Sequence, residues 1–123
     1  MPEKGSIMQP EIRRIIAVDA HRRRTGHCPT MIHSLGTGES FAIEATTEGF
    51  IDVASGTRVR SDASRILLPG DSAVIDIVFD DDIAFSGHDR TSGENFTGRS
   101  GGGSTVTIYD DQRVGYFQYA IVV

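Results

Sequence analysis

From residue 30 onward, apolar and polar residues alternate with a period of two, the pattern of strands with one buried face, and turn-forming residues interrupt it at short intervals. Phe41, Ile43 and Ala45 alternate with Ala42, Glu44 and Thr46. Residues 50–54 and 57–60 flank Ser55-Gly56, a separation suited to a tight hairpin. Arg65-Ile66-Leu67-Leu68 runs into Pro69-Gly70-Asp71, where proline presets φ and glycine tolerates positive φ, so a turn is expected there. Ala73, Ile75, Ile77 and Phe79 share one face of the next strand, with Asp76 and Asp80 on the other, and Asp80-Asp81-Asp82 ends it. Ile83-Ala84-Phe85 predicts a short strand. Thr105 to Tyr109 and Val114 through Val122, around Asp110-Asp111-Gln112, predict a closing hairpin rich in β-branched and aromatic residues.

Two segments lack this regularity. Ile12, Ile15 and Ile16 fit a helix beginning at Pro10 and ending near Gly26, but the density of β-branched residues over 10–24 tilts the expectation toward a strand. Residues 86–104 hold six glycines among small polar residues, a composition that predicts a mobile loop. Together the segments predict an all-β domain, a small antiparallel β-barrel or sandwich of about six to seven strands, since closure or face-to-face packing removes exposed edges. Residues 1–20 form an N-terminal arm or strand in this reading, and residues 21–123 a single β-barrel domain with the Gly-rich loop at 86–104.

Composition agrees with one globular domain. The chain has 123 residues, 38% hydrophobic and 24% charged, enough to bury a core without metal or disulfide. No apolar run reaches a membrane span, the first residues lack the apolar stretch of a signal peptide, and Cys28 is the single cysteine, so a cytoplasmic protein is expected. The net charge of −5 conceals an asymmetry. Residues 1–30 carry an excess of three positive charges and the remainder an excess of eight negative ones. A DNA or RNA binder usually spreads a basic footprint over its surface, so positive charge confined to one segment suits a small anion better.

That positive segment contains Arg22-Arg23-Arg24, and a strand-length gap separates it from Glu44-Ala45-Thr46-Thr47-Glu48-Gly49-Phe50. In a strand, positions 44 and 46 share a face, so a carboxylate and a hydroxyl project together and can grip a base edge. Adjacent guanidiniums give bidentate bonds to phosphate and stack on bases. The arrangement resembles the PilZ domain family, small β-barrels of bacterial signalling proteins, many of which bind cyclic di-GMP. The family signature is an RxxxR element followed by [D/N]xSxxG. Here Glu44, Thr46 and Gly49 stand in register with the second element, with Glu for Asp or Asn and Thr for Ser. No arginine lies four residues after Arg22, Arg23 or Arg24, where Gly26, His27 and Cys28 stand. Leu68-Pro69-Gly70-Asp71-Ser72-Ala73-Val74 resembles the family's turn into a later strand, and Arg113-Val114-Gly115-Tyr116-Phe117 its closing strand. The resemblance implies a non-enzymatic regulatory module with Arg22, Arg23, Arg24, Glu44, Thr46 and Gly49 as ligand-binding residues, a cyclic dinucleotide as partner, and no cofactor.

Other patterns point elsewhere. Gly98-Arg99-Ser100-Gly101-Gly102 matches the GxSxG nucleophile pattern, but that elbow belongs between a strand and a helix of a larger α/β fold, and no nucleophile–base pair stands at an informative spacing. An enzyme is not expected. His21, His27, Cys28 and His33 supply zinc-ligand types without zinc-site spacing, and Asp80-Asp81-Asp82 with His88 and Asp89 lacks the glycine and alternation of a calcium loop. Gly36-Thr37-Gly38-Glu39-Ser40 lacks the lysine of a phosphate loop and predicts a hairpin turn. The competing function is a β-sandwich protein-interaction or structural domain without a small ligand, binding a protein partner or itself, with Tyr109, Tyr116, Phe117 and Tyr119 as candidate contacts.

Overall fold

The computed structural model describes residues 8–69, 74–101, 104–111 and 115–122. Helix α1 (Pro10–Thr25) is followed by ten strands: β1 (Met31–Ser34), β2 (Ser40–Ala45), β3 (Gly49–Asp52), β4 (Thr57–Ser61), β5 (Arg65–Leu67), β6 (Val74–Phe79), β7 (Ala84–Asp89), β8 (Glu94–Gly101), β9 (Thr105–Asp110) and β10 (Gly115–Val122). Each strand pairs antiparallel with the next, and β1 pairs with β10, so the sheet is an up-and-down meander closed into a barrel. The all-β barrel expectation holds, but with ten strands in place of six to seven.

β8 and most of β7 come from the glycine-rich stretch, and β1 from residues 31–34, where no strand was expected. Residues 84–89 and 94–101 pair along their whole length, from Ala84 opposite Arg99 to Asp89 opposite Glu94, and β8 pairs equally with β9. Most of the expected mobile loop at 86–104 is therefore paired strand, and Gly102 and Gly103 lie outside the described residues. The glycines have a packing reason. Gly87 sits opposite Phe96, and a Cβ there would come within 2.3 Å of the Phe96 ring and 2.1 Å of the Asp76 carbonyl. Gly98 sits opposite Phe85, whose ring would lie 2.3 Å from a Cβ. Two buried phenylalanine rings thus occupy the space that two glycines vacate, an aromatic cover over glycine within a sheet.

The helix lies inside the barrel. Ile15, Ile16, Ala17, Val18, Asp19 and Ala20 are fully buried in succession, which no helix packed by one face can achieve. Its side chains reach strands β2 to β4 and β8 to β10: Arg14 touches Asp52 on β3 and Phe41 on β2, Arg13 touches Asp110 on β9 and Phe117 on β10, Arg23 reaches Ser61 on β4, and Arg24 reaches Ser100 on β8. Inward residues of the sheet, among them Ile32, Phe50, Ile66, Ile75, Val106 and Ile108, close around it as one core. A sheet of eight strands is filled by its own side chains, and diameter grows with strand number, so ten strands leave room for a helix.

A helix over residues 10–25 corrects the strand expectation for 10–24, and it runs across the boundary drawn at residue 20. Local signals agree with it. Pro10 stands in the first turn with Glu11, Arg22, Arg23 and Arg24 complement the dipole in the last turn, and Gly26 ends it at φ 79° with its N–H donating to the Arg22 carbonyl at 2.8 Å. The β3–β4 hairpin is looser than a two-residue turn, with Asp52 opposite Thr57 and four residues between, Gly56 being at φ 71°. Of the turn expected at Pro69-Gly70-Asp71, Gly70 and Asp71 lie outside the described residues.

Candidate functional site

Because the helix runs along the barrel axis, its two ends present different chemistry at the two mouths. At the entry mouth, Arg14 donates to both Asp52 carboxylate oxygens at 2.9 and 2.6 Å, and Arg13 donates to Asp110 at 3.3 Å. Their guanidiniums lie 3.9 Å from the ring centres of Phe41 and Phe117. Burial would raise the Asp52 carboxyl's pKa, but the Arg14 and Ser55 hydrogen bonds outweigh it and hold it below the ordinary aspartate value. These inward carboxylates were legible in the sequence only as polar residues on apolar faces. Asp52 shares a face with Phe50, and Asp110 with Ile108. The network fixes the helix in register and uses the donors that it would need to hold a ligand.

At the exit mouth the arginine triplet emerges. Asp19, fully buried in the last turn but one, accepts from Arg22 at 3.3 Å, from Arg23 at 2.5 Å and from Ser61 at 2.8 Å. Arg23 also donates to the carbonyls of Ala63 and Arg65 at 2.9 and 3.1 Å, stitching the helix to the β4–β5 turn. Arg24 donates to Ser100 at 3.2 Å. Arg22 lies 5.6 Å from the Phe50 ring centre. The triplet is therefore the end of a buried helix and not a free arm.

Of the residues the sequence proposed as a site, the fold brings together Arg22, Arg23, Thr46 and Gly49, which line one open cavity of about 370 Å³ with Cys28 and Ser61. Thr46 shapes the β2–β3 turn, its hydroxyl accepting the Gly49 N–H at 3.0 Å. Gly49 is needed there, since a Cβ would meet the Val59 carbonyl at 2.1 Å. Glu44 is exposed on the outward side of β2 and does not line the cavity. Arg24 lines a separate cavity of about 510 Å³ with Arg23, Phe79, Asp81 and Asp82, so Arg23 forms the wall between the two. Cys28 is half-buried, and burial pushes its thiol up against the opposing effect of Arg22 beside it. It is a protonated, poorly nucleophilic thiol at neutral pH.

Sequence reasoning missed Asp19, Ser61 and Cys28 at this mouth. Asp19 could have been found as the one acid within an apolar run flanked by arginines at i+3 and i+4.

The remaining sequence patterns resolve differently. Ser100 is fully buried on β8 facing the helix, so it does not stand on the exposed turn that a GxSxG nucleophile needs. Among the described residues, no three His, Cys, Asp or Glu side chains converge as metal ligands. No described helix is long and apolar enough to cross a membrane. Compared with known proteins, the chain matches no family model, no curated protein and no solved structure.

Proposed function

We propose that this domain is a non-enzymatic binding module whose exit mouth takes a phosphate-bearing nucleotide, with cyclic di-GMP as the ligand that the resemblance in residues 22–49 names. The reading rests on one observation: Arg22 and Arg23 share a cavity with Thr46 and the Gly49 backbone, although more than twenty residues separate the two segments. Arg23 directs its donors to Asp19, Ser61, Ala63 and Arg65, so Arg22, which directs one Nη to Asp19, is the guanidinium with donors left for phosphate oxygens, and Arg23 adds positive charge beside it. The ligand would be gripped by Arg22 and Thr46, with the Arg23 charge beside them. Glu44 contributes at most to an outer rim, and Arg24 belongs to the neighbouring cavity.

Titration calorimetry with cyclic di-GMP tests the reading. Binding is expected to weaken as salt is added and to be lost in Arg22→Gln and Thr46→Val, both of which leave the Arg23–Asp19 pair in place. A parent protein that gives no heat with cyclic di-GMP, while melting cooperatively, removes the nucleotide reading.

A second reading, docking of a protein or a second copy, draws on one exposed apolar patch. Met31 and Val122 face outward opposite each other on β1 and β10, 38% and 46% exposed, beside Ala42 on β2. A closed barrel offers no edge strand, so partners must meet its outer faces. Of the aromatic contacts expected from the sequence, Tyr116 is exposed and Tyr119 is buried. Sedimentation velocity over rising concentration should show a dimer that Met31→Glu abolishes; a monomer throughout removes self-association.

A further inference from the structure

On the wall of the barrel, β7, β8, β9 and β10 carry a groove of about 320 Å³ that none of the helix arginines lines, within the range of small-molecule sites though at its lower end. Tyr109 and Tyr116 stand opposite each other across β9 and β10, with ring centres 4.9 Å apart and planes inclined at 54°. Tyr116 is 73% exposed, the most exposed large apolar side chain described, so one ring face is open to solvent while Tyr109 holds it in position. Thr97 and Arg99 on β8 and Thr107 on β9 complete the wall, in register beside the tyrosines, and Asp80 stands at the rim. Among the described residues, Arg99 forms no ion pair and donates no side-chain hydrogen bond.

The charge at the groove selects the ligand class. Arg99 and Asp80 both line the groove, and the Asp81 carboxylate feels Arg99, so the surroundings carry no excess positive charge. An anion, and a nucleic-acid backbone above all, is therefore disfavoured. What the groove offers is a flat aromatic face, hydroxyls that donate and accept, a guanidinium that donates and a carboxylate that accepts. A pyranose ring has the complementary set: an axial C–H face for the tyrosine and a rim of hydroxyls that both donate and accept. We infer that the Tyr109–Tyr116 groove is a binding site for a neutral saccharide, with Tyr116 as the stacking platform and Arg99, Asp80, Thr97 and Thr107 as the hydroxyl partners. This site is independent of the nucleotide reading of the exit mouth.

Saturation-transfer NMR on the whole chain with cellobiose, maltose, lactose and diacetylchitobiose, and with adenosine as a flat non-sugar control, tests it. Transfer to pyranose C–H protons of at least one disaccharide is expected. Affinity should fall roughly tenfold in Tyr116→Ala, the loss of one aromatic contact, and severalfold in Arg99→Gln. Tyr116 is exposed and Arg99 carries no ion pair, so both variants should keep the parent's melting temperature. Transfer to none of the four disaccharides, transfer unchanged in Tyr116→Ala, or binding through the adenine of adenosine alone would each overturn the proposal.

Discussion

At the scale of single residues, the fold depends on polar groups placed where only specific partners make them tolerable. Asp19, Asp52 and Asp110 are fully buried, and each meets at least one arginine of the helix. A buried ion pair of this kind contributes little beyond an apolar alternative, but losing one partner leaves an uncompensated charge, so these pairs fix register more than they add stability. His21 is the counterexample. It is 4% exposed, and neither ring nitrogen has a hydrogen-bond partner among the described residues. Burial, then the charges of Arg24 and His27, pull its pKa below the ordinary 6.5. The unfolded chain therefore binds this proton more readily than the folded one, and stability is lost as pH falls through and below 6.5. Asp52 does not obscure that window, because its own titration is moved below the usual aspartate range. The melting temperature should drop less between about pH 7 and about pH 5 in His21→Leu than in the parent. Parallel pH profiles for the two proteins would show that the imidazole is not penalised by its site.

At the scale of elements, the strands with one wet face were legible and the two exceptions share a cause. Alternation identified β2, β6, β9 and β10 because one face meets the core and the other meets water. The helix is enclosed on every side, so Ile15 to Ala20 is apolar apart from Asp19, no wet face marks a 3.6-residue stripe there, and its isoleucines suggested a strand. In β7 and β8 the glycines suggested a loop because they face inward, where a partner strand's phenylalanine fills the position. Composition registers the missing side chain but not the ring that covers it. The candidate site was legible in part: Arg22, Arg23, Thr46 and Gly49 converge, but Glu44 stays outside, since a turn and not the strand face points toward the arginines. Gly87→Ala should destabilise the barrel by roughly 1–3 kcal/mol through its contacts with the Phe96 ring and the Asp76 carbonyl, measured by denaturant unfolding. A neutral substitution would mean that the ring can move aside and that the glycine–aromatic fit is loose.

At the scale of the whole molecule, the architecture is a helix held along the axis of a closed ten-strand sheet, anchored by ion pairs at both mouths. Function in this account follows from that arrangement. The lumen is occupied, so ligands must meet the barrel at its mouths or on its outer wall, and the helix's last turn is what brings arginines to the β2–β3 turn. The most direct measurement is amide hydrogen exchange along the chain. If the helix is part of the barrel's core, the amides of Ile15 to His21 exchange as slowly as those of β8 and β9 and open only with the whole domain. Exchange in that segment at the rate of a solvent-exposed helix, with the strands still protected, would contradict the enclosed helix and the arginine-lined mouth built upon it.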